Sequence, residues 1–163
     1  MVERFEEQAE RTPDRIAIEA GSGSLTYRAL NARANSLARL LRARGLRTEE
    51  IAGVFLPNGS DYLAAILAVQ KACGIFVPLG VETPPHRFAA MLGKVQPKLV
   101  ITSPEWHATL LSKLEGTACT ASILVWNADE AAGAPEAENL EPHPEPANSA
   151  YIMFTSGSTG APV

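Results

Sequence analysis

Short apolar runs and amphipathic stretches take turns along this chain, and their spacing predicts most of its elements. Residues 5–10 suit a brief opening helix that stops at Thr12-Pro13, and Arg15-Ile16-Ala17-Ile18-Glu19 alternates as a strand before Gly21-Ser22-Gly23 turns it. From Arg28 onward Leu30, Ala34, Leu37 and Leu41 recur at helical spacing, with Thr26 placed to cap the amino end and Gly45 to stop the other. Residues 51–56 form a compact apolar run closed by Pro57-Asn58-Gly59, and residues 61–72 read as a helix whose small side chains allow close approach to a sheet. The pattern then predicts strands at 75–79, 99–101 and 122–126, separated by helices at 85–95 and 104–114.

Strands apolar on both faces, joined by helix-length connections, predict an α/β fold: a mostly parallel sheet with helices on both faces. Residues 127–148 break the rhythm with six acidic residues, four prolines and no Lys or Arg, so an exposed loop with little regular structure is expected there. Residues 149–162 read as a strand running into a loop, and no internal repeat is visible.

Composition narrows the class. With 163 residues, 46% hydrophobic and 20% charged, the chain suits one globular domain able to bury roughly two thirds of its unfolded surface without disulfides or a structural metal. A net charge of −4 and a pI near 5.4 give no general attraction to nucleic acid or anionic membrane. The six arginines from Arg28 to Arg47 lie on and just after an amphipathic helix and read as its solvated face. Cys73 and Cys119 lack CxxC spacing and read as reduced, buried thiols. The first residues are acidic where a signal peptide would be basic, and the longest apolar run, 63–69, is too short to cross a bilayer; a cytoplasmic protein is expected.

Chemistry concentrates at the end of the chain. Ala150-Tyr151-Ile152-Met153-Phe154 is a β-prone run that opens into Thr155-Ser156-Gly157-Ser158-Thr159-Gly160-Ala161-Pro162. Gly157 and Gly160 can adopt backbone angles that turn N–H groups inward on an anion, and the hydroxyls add donors, which suits phosphate. The run is not a Walker loop, since GxxxxGK[ST] requires a lysine that is absent. On composition alone it reads equally as a flexible linker.

The string from Tyr151 to Pro162 resembles the signature loop of the adenylate-forming superfamily, Thr-Ser-Gly-Ser-Thr-Gly, any residue, Pro, Lys, Gly. Leu25-Thr26-Tyr27-Arg28-Ala29-Leu30 resembles the first core motif of nonribosomal peptide synthetase adenylation domains, and Lys71-Ala72-Cys73-Gly74-Ile75-Phe76-Val77-Pro78-Leu79 the second. Phe5-Glu6-Glu7-Gln8-Ala9 through Thr12-Pro13-Asp14 is similar to the usual opening of such domains, so the resemblance covers essentially the whole chain. Ser158, where many acyl-CoA synthetases carry threonine, tilts the reading toward amino-acid activation, with fatty-acyl and aryl relatives as alternatives.

The resemblance implies that a carboxylate, an amino acid or another acid, attacks the α-phosphate of Mg2+-ATP. Pyrophosphate leaves, and the acyl-adenylate passes to the phosphopantetheine thiol of a carrier protein domain. It also implies that Thr155, Ser156, Gly157, Ser158, Thr159 and Gly160 grip the β- and γ-phosphates. Three positions depart from the pattern: Val163 stands where lysine is usual, Ala29 where the first motif has glutamate, and Gly80 where the second has aspartate. Family members are several times longer, so the expectation is a partial domain at 1–163, an incomplete amino-terminal subdomain inactive alone. Residues 150–154 would then lack their returning strand and expose apolar side chains.

No catalytic residue and no metal ligand is nominated. His86, His107 and His143 share no ligand spacing and read as surface or capping residues; Trp106 and Trp126 read as packing residues; Lys71 reads as a solvated residue near helix-end carbonyls. A remnant acting as a weak nucleotide-binding or interaction domain is the competing function. A dinucleotide enzyme ranks last, since no GxGxxG follows the early strands.

Overall fold

The computed structural model of the chain describes residues 1–20, 23–128 and 138–155. Helix α1 (Val2–Arg11) leads into an antiparallel pair, β1 (Ile16–Ala20) and β2 (Gly23–Thr26), and then into α2 (Tyr27–Ala43). Thr26 caps α2 as its sequence suggests, its hydroxyl accepting from the Ala29 N–H at 3.2 Å, and Gly45 follows the helix at a φ of 90°.

Four parallel strands follow: β3 (Ile51–Val54), β4 (Ile75–Pro78), β5 (Leu99–Thr102) and β6 (Ser122–Val125). Between them lie α3 (Ser60–Lys71), α4 (Pro85–Val95) and α5 (Pro104–Leu114), the last two opening with proline at their first position, where its missing N–H costs nothing. The sheet order is β4-β3-β5-β6, so the chain leaves β3 in one direction, returns across it, and then winds the other way. This is the α/β architecture expected, with helices on both faces.

Side-chain alternation assigns the faces. Ala52, Val54, Phe76, Leu99, Ile101 and Leu124 point toward α2 and α3, joining Leu37, Leu41, Ala64, Ala65, Ala68 and Val69 in one core. Val77, Val100 and Phe55 point the other way, onto Phe88, Met91, Leu92 and Leu110 of α4 and α5. Gly53 lets β3 pass close beneath that second core: a Cβ there would lie 2.7 Å from Leu79 Cδ1.

The structure corrects several expectations from the sequence. The arginines of α2 are not a plain solvated face. Arg33 is mostly covered and pairs with Asp61 of α3 at 3.0 Å, while Arg42 donates to the carbonyls of Lys71, Glu141 and Pro142 at 2.8, 2.6 and 3.1 Å. Nor is the acidic segment simply an exposed loop, because Leu140 is buried in the first core and Asn139 Oδ1 accepts from Asn31 and Asn35 at 3.0 Å each. Segment 138–142 lies against α2, and extended carbonyls there attract guanidinium groups as well as solvent would.

Lys71 is the largest departure. Instead of a solvated helix end it is 1% exposed, and its ammonium donates to Glu6 of α1. Helical periodicity in α3 cannot reveal that another helix covers its last turn. Cys73 is buried as expected, whereas Cys119 is only partly covered.

Candidate functional site

The candidate site begins where residues 150–154 meet the sheet. Tyr151 forms a parallel bridge with Phe76 on the outer side of β4; Phe76 N–H donates to Ala150 O at 3.3 Å and Ile152 N–H to Phe76 O at 3.0 Å. The segment therefore runs in the same direction as the four strands. Ile152 and Phe154 turn toward the α4/α5 core, while Tyr151 and Met153 turn the other way, Tyr151 tilted against Phe76 with ring centroids 5.6 Å apart. Among the described residues this is the one bridge the segment makes, and Thr155 follows it four residues later.

The segment runs toward the carboxyl ends of the parallel strands, where Leu79 N–H donates to Val54 O and Phe55 N–H to Ile101 O, both at 2.9 Å. Ligands of open α/β sheets bind outside this end, near the point where strand order reverses. Of the nominated phosphate-gripping residues, Thr155 is described and exposed; Ser156, Gly157, Ser158, Thr159 and Gly160 lie outside the described residues. Tyr151 and Met153 are 56% and 60% exposed, leaving an apolar surface at the entrance to the loop.

Three side chains that no motif marks hold this segment. Glu49 accepts from the Ser149 N–H at 2.7 Å and from its hydroxyl at 2.8 Å, and Gln70 Nε2 donates to Ala150 O at 3.0 Å. Further back, Arg42 binds residues 141–142. Glu49 and Arg42 lie in polar stretches that look like ordinary surface and Gln70 simply follows an apolar helical run, so nothing local advertises the role.

Titratable groups gather at the other end of β4. Burial pushes the Lys71 amine below its ordinary value, while the hydrogen bond and charge of Glu6 pull the other way. His143 Nε2 lies 3.0 Å from the second Glu6 oxygen and its Nδ1 lies 3.7 Å from Glu3, so it is not a free surface residue. Among the described residues no group of three His, Cys, Asp or Glu side chains is arranged to hold a metal ion, and no helix is long and apolar enough to cross a membrane. Trp126 is buried, in keeping with a packing role, and Trp106 packs against the second core.

The profile of the AMP-binding enzyme family matches residues 5–162. The chain belongs to the AMP-binding enzyme family. Tyrocidine synthase 2 of Brevibacillus parabrevis is 36% identical over 158 residues, 97% of this chain and 4% of that protein; tyrocidine synthase 1 of the same organism is 39% identical, over 97% and 14%. Among solved structures, the AMPPNP-bound form of the nonribosomal peptide synthetase FmoA3 superposes with a TM-score of 0.80 at 31% identity, over 95% of this chain and 16% of that one. The amino-terminal domain of FACL13 from Mycobacterium tuberculosis reaches a TM-score of 0.85 over 99% of this chain and 42% of that one, but at 20% identity it speaks for the fold alone. The chain therefore spans less than half of each relative's length, and the resemblance to peptide synthetase adenylation modules, read from its motifs, holds.

Proposed function

We propose that this AMP-binding chain is the amino-terminal part of an ATP-dependent, amino-acid-adenylating domain. The observation that supports the reading is the parallel bridge between Phe76 and Tyr151, which directs the chain that precedes the Thr/Ser/Gly run along the sheet toward the carboxyl ends of its strands. In the proposed reaction a carboxylate oxygen bonds to the α-phosphorus of ATP, the bond from that phosphorus to the bridging oxygen breaks, and pyrophosphate departs. Backbone N–H groups and hydroxyls of Thr155, Ser156, Gly157, Ser158, Thr159 and Gly160 hold the leaving phosphates and stabilise their charge.

Identity at 36–39% with the tyrocidine synthases favours amino acids over the fatty-acyl or aryl acids of acyl-CoA synthetases. The acyl-adenylate would pass to a phosphopantetheine thiol on a carrier domain, in the cytoplasm. These 163 residues do not orient the α-phosphate by themselves, and positioning makes up much of the catalysis of such transfers.

The test is ATP–pyrophosphate exchange with a panel of amino acids, run on the 163-residue chain and on the longest reading frame that contains it, alongside AMPPNP binding to both. Amino-acid-dependent exchange by the longer product, none by the short chain, and loss of nucleotide binding in Gly157→Val are expected. Absence of AMPPNP binding from both would overturn the proposal.

A further inference from the structure

The bridge at Tyr151 supplies only two backbone hydrogen bonds, both on Phe76, which is little to hold a sheet edge in one register. A slip of two residues would keep every side chain on its own face and yet move the loop by about 7 Å, at roughly 3.3 Å per residue. Something else must select the register.

We propose that Glu49 and Gln70 are positioning residues that clamp Ser149 and Ala150 and so set where the phosphate loop leaves the sheet. Glu49 takes both donors of Ser149, N–H and hydroxyl, on its two carboxylate oxygens at 2.7 and 2.8 Å. Gln70 and Phe76 donate together to the single carbonyl of Ala150, at 3.0 and 3.3 Å. Only a residue with its N–H and hydroxyl in that arrangement, followed at once by an open carbonyl, satisfies both partners. A two-residue slip offers Gln70, which is 5% exposed, another carbonyl, but brings Ala147 or Tyr151 to Glu49 in place of Ser149, so one carboxylate oxygen loses its hydroxyl donor.

The clamp is itself held rigidly. Glu49 sits in the left-handed region at a φ of 64°, its N–H donating to Cys73 O at 3.0 Å, and Cys73 shares that region at 61°. Ile75 N–H donates to Glu50 O at 2.9 Å, locking the turn that carries Glu49 to the amino end of β4. Strained backbone of this kind persists where the surroundings hold it in place, and here it aims one carboxylate at the incoming chain. What the loop grips rests on the function proposed above; the clamp does not.

Amide exchange of the full 163-residue chain tests it, with Gln70→Met and the exposed Glu49→Ala as separate variants. At least about tenfold faster exchange at Phe76 and Ile152 is expected in each, with the amides of α2 unchanged, and Glu49→Gln, which keeps one acceptor for Ser149, should lie between. Unchanged exchange at Phe76 and Ile152 overturns the inference, and so does acceleration that spreads equally through α2, which marks a general loss of stability. AMPPNP binding by the same proteins separates the two readings: clamp-dependent exchange in a chain that binds no nucleotide upholds the clamp and removes the phosphate role.

Discussion

Lys71 at the end of α3 donates its ammonium to the carboxylate of Glu6 in α1, 65 residues earlier, and both side chains are shut in the interior. Asn139 Oδ1 also accepts from the ammonium at 3.4 Å, and His143 approaches the other Glu6 oxygen. One buried pair thus ties together the first helix, the end of the third and the acidic segment. Its net contribution to stability is small, because desolvating two charges offsets much of their attraction, but breaking it from one side is costly.

Lys71→Met should destabilise the chain by about 3–5 kcal/mol, since it strands the Glu6 carboxylate in the interior. The double change Glu6→Leu with Lys71→Met should recover most of that loss. Urea midpoints for the three proteins check this, and a silent single variant would refute it.

Lys71 also sets a pH dependence. Burial lowers its folded pKa below the ordinary 10.5, so between the two values the unfolded chain binds more protons than the folded one. The contribution of this group to stability therefore rises with pH through that window and is least favourable below it. Denaturation at a series of alkaline pH values should show this component in the parent chain and not in the Lys71→Met, Glu6→Leu double variant.

Ala29 occupies the third position of α2, after the Thr26 cap, where related motifs carry glutamate. Ala29→Glu should stabilise by about 0.3–1 kcal/mol through the helix dipole, and Thr26→Ala should cost about 1 kcal/mol through the lost cap. Thermal midpoints moving in the same direction for both would contradict the capping account.

Gly53 has no room for a side chain, with Leu79 Cδ1 at 2.7 Å and Val100 Cγ2 at 3.2 Å from where a Cβ would sit. Gly53→Ala should cost about 1–3 kcal/mol by overpacking. Chemical unfolding gives the value; no change would mean that Leu79 moves aside freely.

Legibility in the sequence varied with how local each cause is. The helices at Pro85–Val95 and Pro104–Leu114 match the spans read from the pattern because proline marks their starts and the 3.6-residue spacing runs between. The strands of the parallel sheet were equally plain, but β2 was not read and residues 150–154, expected as a strand, make a single bridge; nor was the order β4-β3-β5-β6 visible, since a run of apolar residues carries no address for its neighbour. The Thr/Ser/Gly run was visible as a motif, but the residues that hold its approach, Glu49 and Gln70, were not. Their partners lie 100 and 80 positions away.

By itself the sequence determined the alternation of helices and parallel strands from α2 to β6, the cap at Thr26 and the membership of the AMP-binding family, because each depends on spacing within a few turns or on a contiguous string. Tertiary structure alone decided that Lys71 is buried, that Arg42 serves the carbonyls of residues 141–142, and that Ala150 meets β4 in one register. The reason is physical: whether a polar group is solvated, paired or used to position the chain depends on which distant segment folds over it. Only packing brings those segments together.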